Sequence, residues 1–569
     1  MSGSAAGPAA GAAERGLAWL LVAATLVYWT PQLAFFPLPN NDFATFEAVA
    51  RAFARGELPG TFQRLPLLPA AMTALASAFP GKHALLHAAL AINAALALAT
   101  LPLLHALAAR CVGRGALLVP VLFAGTAQLH AQGLQPLVEP SLGFFVVLAF
   151  LLFQRRSPWQ YAAASAAALS RYEAALLLPL FALAGAREDG RWRRHAALAA
   201  AGGVPFALWA AAGALRGSGA AFYAADMERM GFTPAPHAVA TLFKEALRGL
   251  WTDAPGPDVP VFLVGAAAPA LAGVAVGLRR FPREAVSFLV YLAGTLVVIV
   301  GLGIDKARYV YPVLWIPLLF FAAGLGALLR AAAVRLAARP LVARAALAAA
   351  LGAGAVFASD GVGELLRAPH DVVPLAADLA YAGALVLLAA AALALSVARA
   401  AARPDAAGVA LLAGLAVAAP LLLGGVTGWA KERRKVAFAN ESVVVSAAWL
   451  ASHLGPGERA VVMHRQHYLF LTELEPSRFV GFFDLDATDV ASLAGEMRAR
   501  GLTHVVATWR KPVAQAIDRV YEHKYKWFLV DPFTRGEPVP GFEHVASLPL
   551  PAHLRQPPVQ IYRLAERAP

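Results

Sequence analysis

The sequence contains few charged residues and almost no cysteine. Only 15% of its 569 residues are Asp, Glu, Lys or Arg, whereas 59% are hydrophobic. This composition excludes an ordinary soluble enzyme of this length and indicates a polytopic membrane protein. The one cysteine, Cys111, excludes an intrachain disulfide. A domain outside the membrane would therefore have to fold without a disulfide.

Motifs for nucleotide, metal or nucleic-acid binding are also missing. Glycine-rich stretches such as 301–303 lie in apolar runs, which indicates packing rather than a phosphate loop. His464 and His467 lack a third ligand, so we expect surface histidines, no metal and no other cofactor. The net charge of +13 does not indicate nucleic acid, because Lys and Arg cluster in short loops between apolar runs.

Apolar runs recur from Leu17 to about Thr427 and then stop. Because about 20 apolar residues cross a bilayer as a helix, these runs, among them Ala116–His130 and Leu375–Val397, predict about thirteen spans. The first run, Leu17–Phe36, is too long for a signal-peptide core and lacks a cleavage site. We therefore expect it to remain as the first span, with residues 1–16 as a cytoplasmic tail.

The stretch Pro66–Phe79 decides the topology, because it is too short to span comfortably. If it stays on the outer face, nearly every Arg-rich short loop falls in the cytoplasm, as the positive-inside rule requires. With a predicted surface helix at Phe43–Phe53, it gives outer juxtamembrane helices at about 43–79. The basic run Lys431–Lys435 breaches the rule, but long C-terminal domains translocate regardless of charge.

After residue 427 the pattern changes to that of a small soluble domain. Its alternation of elements predicts an α/β domain over 428–569, on the periplasmic side of a transmembrane domain over 17–427. The predicted helices are Val443–Leu454 and Asp489–Arg500; the predicted strands are Arg459–Met463, Tyr468–Leu471, His504–Thr508 and a hairpin of Phe542–Ser547 and Val559–Leu564.

Asp42, in the sequence Pro-Asn-Asn-Asp-Phe, lies where the first predicted span meets water. One interpretation is a helix N-cap, because Asp42 directly precedes the predicted surface helix. The other is a general base that takes the proton of an acceptor hydroxyl as it attacks a sugar carbon. The two roles are compatible. One carboxylate is enough for an inverting transfer, since a leaving phosphate needs little acid assistance.

Three further ionisable residues lie in or between apolar runs. Glu139 is either an exposed loop acid or a carboxylate that holds substrate hydroxyls. Arg171 and Glu173 occur in an apolar hairpin, where ionisable groups usually face a partner or a cavity. Since residues two apart do not face each other on a helix, we favour roles in a cavity over a mutual ion pair.

Three cations complete the candidate site. Lys306 and Arg308, followed by Tyr309, lie in a short loop on the predicted outer face. Arginine suits phosphate through its planar fork of donors, and the alternative is snorkelling at the interface. Arg64 is a second candidate for phosphate binding.

The layout of the first outer loop resembles that of the GT-C family of membrane glycosyltransferases. An early Asp42, a surface helix and the Arg64-x-Pro-x-x-Pro stretch are similar to the branch of the protein O-mannosyltransferases and the lipid A aminoarabinose transferases. Glu139-Pro and Arg308-Tyr-x-x-Pro also resemble family patterns. The resemblance implies that Asp42 is the base and that the donor sugar is carried on a polyprenyl phosphate. Phe43 departs from the Asp-Glu of the O-mannosyltransferases, which argues against protein O-mannosylation.

We therefore expect a polytopic α-helical, GT-C-like protein of the bacterial inner membrane with a C-terminal α/β periplasmic domain. It would transfer a sugar from a polyprenyl phosphate to a periplasmic lipid, glycan or protein. The sequence names neither the sugar nor the acceptor. The alternative is a polytopic transporter or lipid flippase, which predicts paired interrupted spans in two halves. No clear pair of that kind is found in the sequence.

Overall fold

The structure is a computed structural model. It describes residues 8–33, 39, 42–60, 62, 64–217, 237–246, 263–301, 307–337, 362–368, 370, 372–397, 404–438, 441–463, 465–508, 527–552 and 557–565, with scattered residues from 345 to 359. The chain forms two compact units. The first comprises Met1–Phe36 and Thr45–Arg433, and the second comprises Pro37–Ala44 and Arg434–Pro569.

The first unit is helical. Its helices are α1 (Pro8–Trp29), α2 (Phe43–Ala54, of which Phe43 and Ala44 belong to the second unit), α3 (Leu67–Ala76), α4 (Ala84–Cys111), α5 (Leu118–Ala124), α6 (Ala127–Gly133), α7 (Glu139–Gln154), α8 (Trp159–Ala168), α9 (Leu177–Asp189), α10 (Trp192–Leu215), α11 (His237–Ala246), α12 (Ala268–Arg280), α13 (Pro282–Gly301), α14 (Trp315–Ala337), α15 (Leu375–Val397) and α16 (Pro404–Phe438). Short 3-10 helices at Tyr172–Leu176 and Ala307–Val313 precede α9 and α14.

Several of these helices have the length and composition of membrane spans, which makes the chain a polytopic helical membrane protein. Among the described residues, six are long and apolar enough to cross a bilayer: Ala84–Cys111, Trp192–Leu215, Pro282–Gly301, Trp315–Arg335, Leu375–Val397 and Ala407–Arg433. The expected Pro66–Phe79 segment contains the short apolar helix α3. The count of thirteen spans and the outward face of α3 stay predictions.

Two predicted spans differ from the helices observed. The helix α1, Pro8–Trp29, begins before the expected span Leu17–Phe36 and also ends before it. An expected span over 116–130 is wrong, because the chain breaks there into the two seven-residue helices α5 and α6. The break lies at Thr126, whose extended backbone and side-chain oxygen cap α6. Hydropathy registers both helices as one run and cannot detect the cap between them.

A buried ion pair joins α15 to the end of α16. Arg433 donates to both carboxylate oxygens of Asp378 at 2.6 Å, and both side chains are fully buried. Tyr28 of α1 donates to the same carboxylate at 2.7 Å, and His370 lies 3.1 Å from its other oxygen. Burying a charge is tolerable only when it is paired and hydrogen-bonded. Arg433 of the predicted basic run is therefore a core residue that links helices rather than a loop charge.

The second unit contains a five-stranded mixed sheet, with strand order β2-β1-β3-β5-β4. The strands are β1 (Ala460–Val462), β2 (Phe479–Gly481), β3 (His504–Ala507), β4 (Phe542–Leu548) and β5 (Val559–Leu564), and the helices are α17 (Glu441–His453), α18 (Arg465–Leu471), α19 (Val490–Arg500) and α20 (Trp527–Val530). β1 pairs in parallel with β2 and β3, whereas β5 pairs antiparallel with β3 and β4. Alternate residues of β1 enter separate apolar clusters, so this inner strand is buried on both faces, whereas most residues of the edge strand β4 are not buried.

Two features of the second unit differ from expectation. The predicted strand Tyr468–Leu471 is wrong, since these residues end the helix α18. Tyr468 instead packs against Phe479 of β2, a strand that the pattern missed. The predicted domain boundary at residues 427/428 falls inside the continuous helix α16, and the units divide between Arg433 and Arg434.

We expect the Asp378–Arg433 pair to be essential for stability. Asp378→Ala leaves a buried guanidinium unpaired, so it should lower the free energy of unfolding by about 3–5 kcal/mol. The matched control is Glu364→Ala, because Glu364 pairs at an exposed position with Lys431 of α16, the helix that also carries Arg433. Its loss should cost at most about 1 kcal/mol. Thermal unfolding in detergent measures the stability of both variants. Equal losses of stability would contradict the prediction that the buried Asp378–Arg433 pair is essential.

Candidate active site

Glu139 begins α7 and is 2% exposed. An acid in the first turn is favoured by the exposed N–H groups there, and the adjacent Pro140 suits the same turn because it needs no N–H partner. The preceding turn is held by Asn93 of α4, whose Nδ2 donates to the carbonyls of Gln135 at 2.6 Å and Leu137 at 2.5 Å. The backbone that leads into Glu139 is therefore held by α4. The interpretation of Glu139 as an exposed loop acid is wrong.

Arg171 connects α8 to the following 3-10 helix in an extended conformation. Its Nη1 lies 3.2 Å from Glu139 Oε1, and its Nε lies 2.6 Å from Glu173 Oε1. The argument that Arg171 and Glu173 do not face each other is therefore wrong. The prediction was based on a continuous helix. The backbone at Arg171 is extended instead, which brings the Arg171 side chain to Glu173.

Arg308 reaches the same carboxylate from a third segment, the 3-10 helix before α14, and Tyr309 of that segment lies beside the two arginines. Arg308 Nε lies 3.8 Å from Glu139 Oε1. The guanidinium carbons of Arg171 and Arg308 lie 4.2 and 5.1 Å from the centroid of the Tyr309 ring. Both distances are short enough for cation–π attraction. Five of the predicted site residues thus form one group, hereafter the Glu139 cluster: Glu139, Arg171, Glu173, Arg308 and Tyr309.

A glycine allows the third segment to approach α7. Gly143 is one turn after Glu139, and a Cβ built there would lie 2.9 Å from Cε1 of Tyr311. The Tyr311 ring is 1% exposed and also packs against Phe123, so it has little room to move. The absence of a side chain at Gly143 therefore lets Tyr311, and with it the Arg308 segment, lie close to α7.

The charges of the Glu139 cluster balance, with two guanidinium groups and two carboxylates. Glu139 Oε1 contacts both arginines, whereas Glu139 Oε2 is buried without a hydrogen-bond partner among the described residues. A buried carboxylate oxygen strongly favours a donor. The cluster can therefore accept a hydroxyl at Glu139 and offer guanidinium N–H groups to an anion.

An apolar groove adjoins the cluster. It has a volume of about 380 Å³. Its lining residues are Tyr172, Glu173, Ala175, Leu176, Pro179 and Val298. Glu173 belongs to both the Glu139 cluster and the groove, so the polar cluster and the apolar groove meet at this residue.

The remaining predicted residues lie elsewhere. Arg64 Nε donates to Thr45 at 2.7 Å, and its guanidinium covers the Phe46 ring of α2. Asp42 belongs to the second unit, where it is half-buried in the turn directly before α2, the position of an N-cap. Lys306 lies outside the described residues. Among the residues that the structure describes, no three His, Cys, Asp or Glu side chains group as metal ligands.

Four residues around the Glu139 cluster and the groove were not among the predicted site residues: Asn93, Gly143, Tyr172 and Tyr311. Tyr172 carries a detectable signal, because it stands between two ionisable residues in an apolar hairpin. Asn93 is a polar residue within a span, which is also a recognisable sign of function or packing. Gly143 and Tyr311 carry none, since their importance depends on a contact between segments far apart in the chain.

Solved structures share this architecture across the whole chain. By sequence, no family model and no curated protein matches it. By structure, ArnT from Cupriavidus metallidurans bound to undecaprenyl phosphate matches with a TM-score of 0.51 and 18% identity, covering 96% of this chain and 98% of ArnT. The chain has the GT-C fold. The apo form of the same ArnT matches with the same TM-score and coverage at 17% identity. The GT-C fold expected from the first loop is thus confirmed.

We expect Gly143→Ala to destabilise the site. Its new Cβ would press on the buried Tyr311 ring, and overpacking of this kind typically costs about 1–3 kcal/mol. Gly383→Ala in α15 is the matched control, because a Cβ there meets nothing within 4 Å. It should be neutral or stabilise the helix by about 0.5–1 kcal/mol. Thermal unfolding in detergent compares the two variants. An unchanged unfolding midpoint in Gly143→Ala would show that the Tyr311 ring can move to accommodate the new Cβ.

Proposed function

We propose that the protein transfers a sugar from a polyprenyl-phosphate donor to a periplasmic acceptor by an inverting mechanism in the bacterial inner membrane. The observation that carries this proposal is the meeting of the Glu139 cluster with the apolar groove at Glu173. A ligand suited to both has an anionic, hydroxyl-bearing head and a long hydrocarbon tail. A sugar on a polyprenyl phosphate has these properties. The fold of ArnT, solved with undecaprenyl phosphate, supports the same ligand class.

The two arginines of the cluster are the groups that bind the donor phosphate in this proposal. Arg171 and Arg308 are 16% and 15% exposed at their side chains, so their charges are only partly screened by solvent. Guanidinium groups bind phosphate oxygens through charge-assisted hydrogen bonds. They would stabilise the charge that grows on the phosphate as the glycosidic bond breaks. Lys306 and Arg64 are further candidates for this role.

The remaining roles follow from the balance of the reaction. An acceptor hydroxyl attacks the anomeric carbon of the sugar while its proton passes to the carboxylate of Asp42. The new bond forms from the acceptor oxygen to this carbon, and the bond from the carbon to the phosphate oxygen breaks. The electron pair leaves on the polyprenyl phosphate. Glu139 Oε2 would accept a hydrogen bond from a substrate hydroxyl and thereby orient the substrate. The Tyr309 ring would help to hold the two arginines in place.

We expect Arg308→Gln to weaken donor binding. Loss of a hydrogen bond to a charged group costs about 1.5–3 kcal/mol, which raises the KM for the donor about 10- to 150-fold. The control is Arg335→Gln, which removes an exposed arginine near the end of α14. Transfer kinetics with a radiolabelled polyprenyl-phosphate sugar measure both variants. An unchanged donor KM in Arg308→Gln would remove Arg308 from the phosphate site.

We expect Asp42→Asn to abolish most transfer, since an amide cannot take the proton. General-base catalysis contributes about 10²–10⁴-fold, and kcat should fall by that factor with donor binding retained. Glu57→Gln is the control, because Glu57 is an exposed acid that forms a surface ion pair with Arg55. Membranes with each form receive labelled donors and native acceptors. Equal transfer would refute the base assignment, whereas lipid movement without transfer would favour a flippase.

A further inference from the structure

The second unit includes a segment distant from it in the sequence. Residues Pro37–Ala44, which contain Asp42, group with Arg434–Pro569 rather than with the helical unit. One contact between these two parts involves His467. The Nε2 atom of His467 lies 3.1 Å from the backbone carbonyl oxygen of Pro39. Pro39 precedes Asp42 by three residues, so this hydrogen bond anchors the loop that carries Asp42.

His467 is buried, which corrects the expectation of a surface histidine. Its relative exposure is 4%, and burial lowers the pKa of its imidazole, with the hydrogen bond to Pro39 opposing the shift. A carbonyl oxygen only accepts, so Nε2 carries a hydrogen and donates it. Both the neutral Nε2–H tautomer and the imidazolium can donate this bond. The contact therefore persists across the pH range in which His467 titrates.

The helix that carries His467 is firmly attached to the sheet. The next residue, Tyr468, is 1% exposed, packs on Phe479 of β2 and shares a hydrogen bond of 2.8 Å with Ser446 of α17. Arg465, at the start of the helix, donates to the carbonyl of Pro476 at 3.1 Å. The α18 helix is thus held on two sides, and the His467 ring is a fixed donor rather than a mobile one.

We propose that His467 is a positioning residue: its hydrogen bond to Pro39 holds the Asp42 loop in place, so the C-terminal α/β unit orients the general base. This inference rests on the proposed function, because it assumes that Asp42 is the base. It gives the α/β unit a role in transfer itself. His467 acts through the loop and does not take part in proton transfer.

Three substitutions separate positioning from other roles. His467→Leu keeps an apolar side chain in the buried site but removes the donor. His467→Gln keeps an N–H group that can reach the position of Nε2. His453→Gln is the control, because His453 is an exposed histidine of α17 in the same unit. All three are made in the full-length protein and compared with wild type for thermal stability in detergent.

The kinetic readout is the split between kcat and the donor KM, measured with a labelled polyprenyl-phosphate sugar. A misplacement of about 1 Å can cost about 10²-fold in rate, so His467→Leu should lower kcat about 10- to 100-fold and leave the donor KM unchanged. His467→Gln should keep kcat within a factor of about three of wild type, with the same pH–rate profile. If His467→Gln is as inactive as His467→Leu, His467 acts as more than a hydrogen-bond donor and the proposal is overturned.

A second readout does not depend on activity. Amide hydrogen exchange of the peptide that contains Asp42 should be faster in His467→Leu than in wild type, and unchanged in His467→Gln and His453→Gln. Normal exchange and normal kcat in His467→Leu would overturn the positioning role while the transfer function stands. Faster exchange in His467→Leu, combined with no transfer by wild type, would support the loop contact and refute the proposed function.

Discussion

Ionisable groups buried in the helical unit must find partners within the protein, because hydrocarbon offers none. This constraint explains two polar networks of that unit. Asp378 is held by Arg433 and Tyr28, and Glu139 is held by Arg171 and Arg308. Each network joins helices that are distant in the sequence. A charge that would be costly alone therefore becomes a specific link between segments.

The two networks differ in what they leave available. Both oxygens of Asp378 are engaged by the fully buried Arg433, which suits a purely structural pair. In the Glu139 cluster, one oxygen of Glu139 is shared by two partly exposed arginines and the other is buried without a partner among the described residues. The cluster also borders an apolar groove. An incompletely satisfied polar group beside an open apolar surface is a feature of a ligand site, and this contrast is the physical basis for the donor site that we propose.

The second unit adds a different kind of organisation. The inner strand β1 of its sheet is buried on both faces, and α18 is fixed to the sheet through Tyr468. From α18, the side chain of His467 donates a hydrogen bond to the backbone carbonyl of Pro39. A loop that bears a reactive carboxylate loses catalytic power when it moves, because general-base catalysis depends on the distance to the proton. A rigid α/β unit is a suitable support for such a loop.

The sequence by itself determined the class of the protein and many of its elements. The length of each apolar run predicts spans such as α15, whose observed limits, Leu375–Val397, equal the predicted ones, because hydropathy is a local property. The sequence also indicated Glu139, Arg171 and Arg308 as site residues, because charged residues within or between apolar runs are uncommon. Only the tertiary structure decided that these three meet, that the 116–130 run breaks at Thr126, and that His467 is buried against Pro39. Those outcomes depend on packing between segments far apart in the chain, which no local pattern of residues encodes.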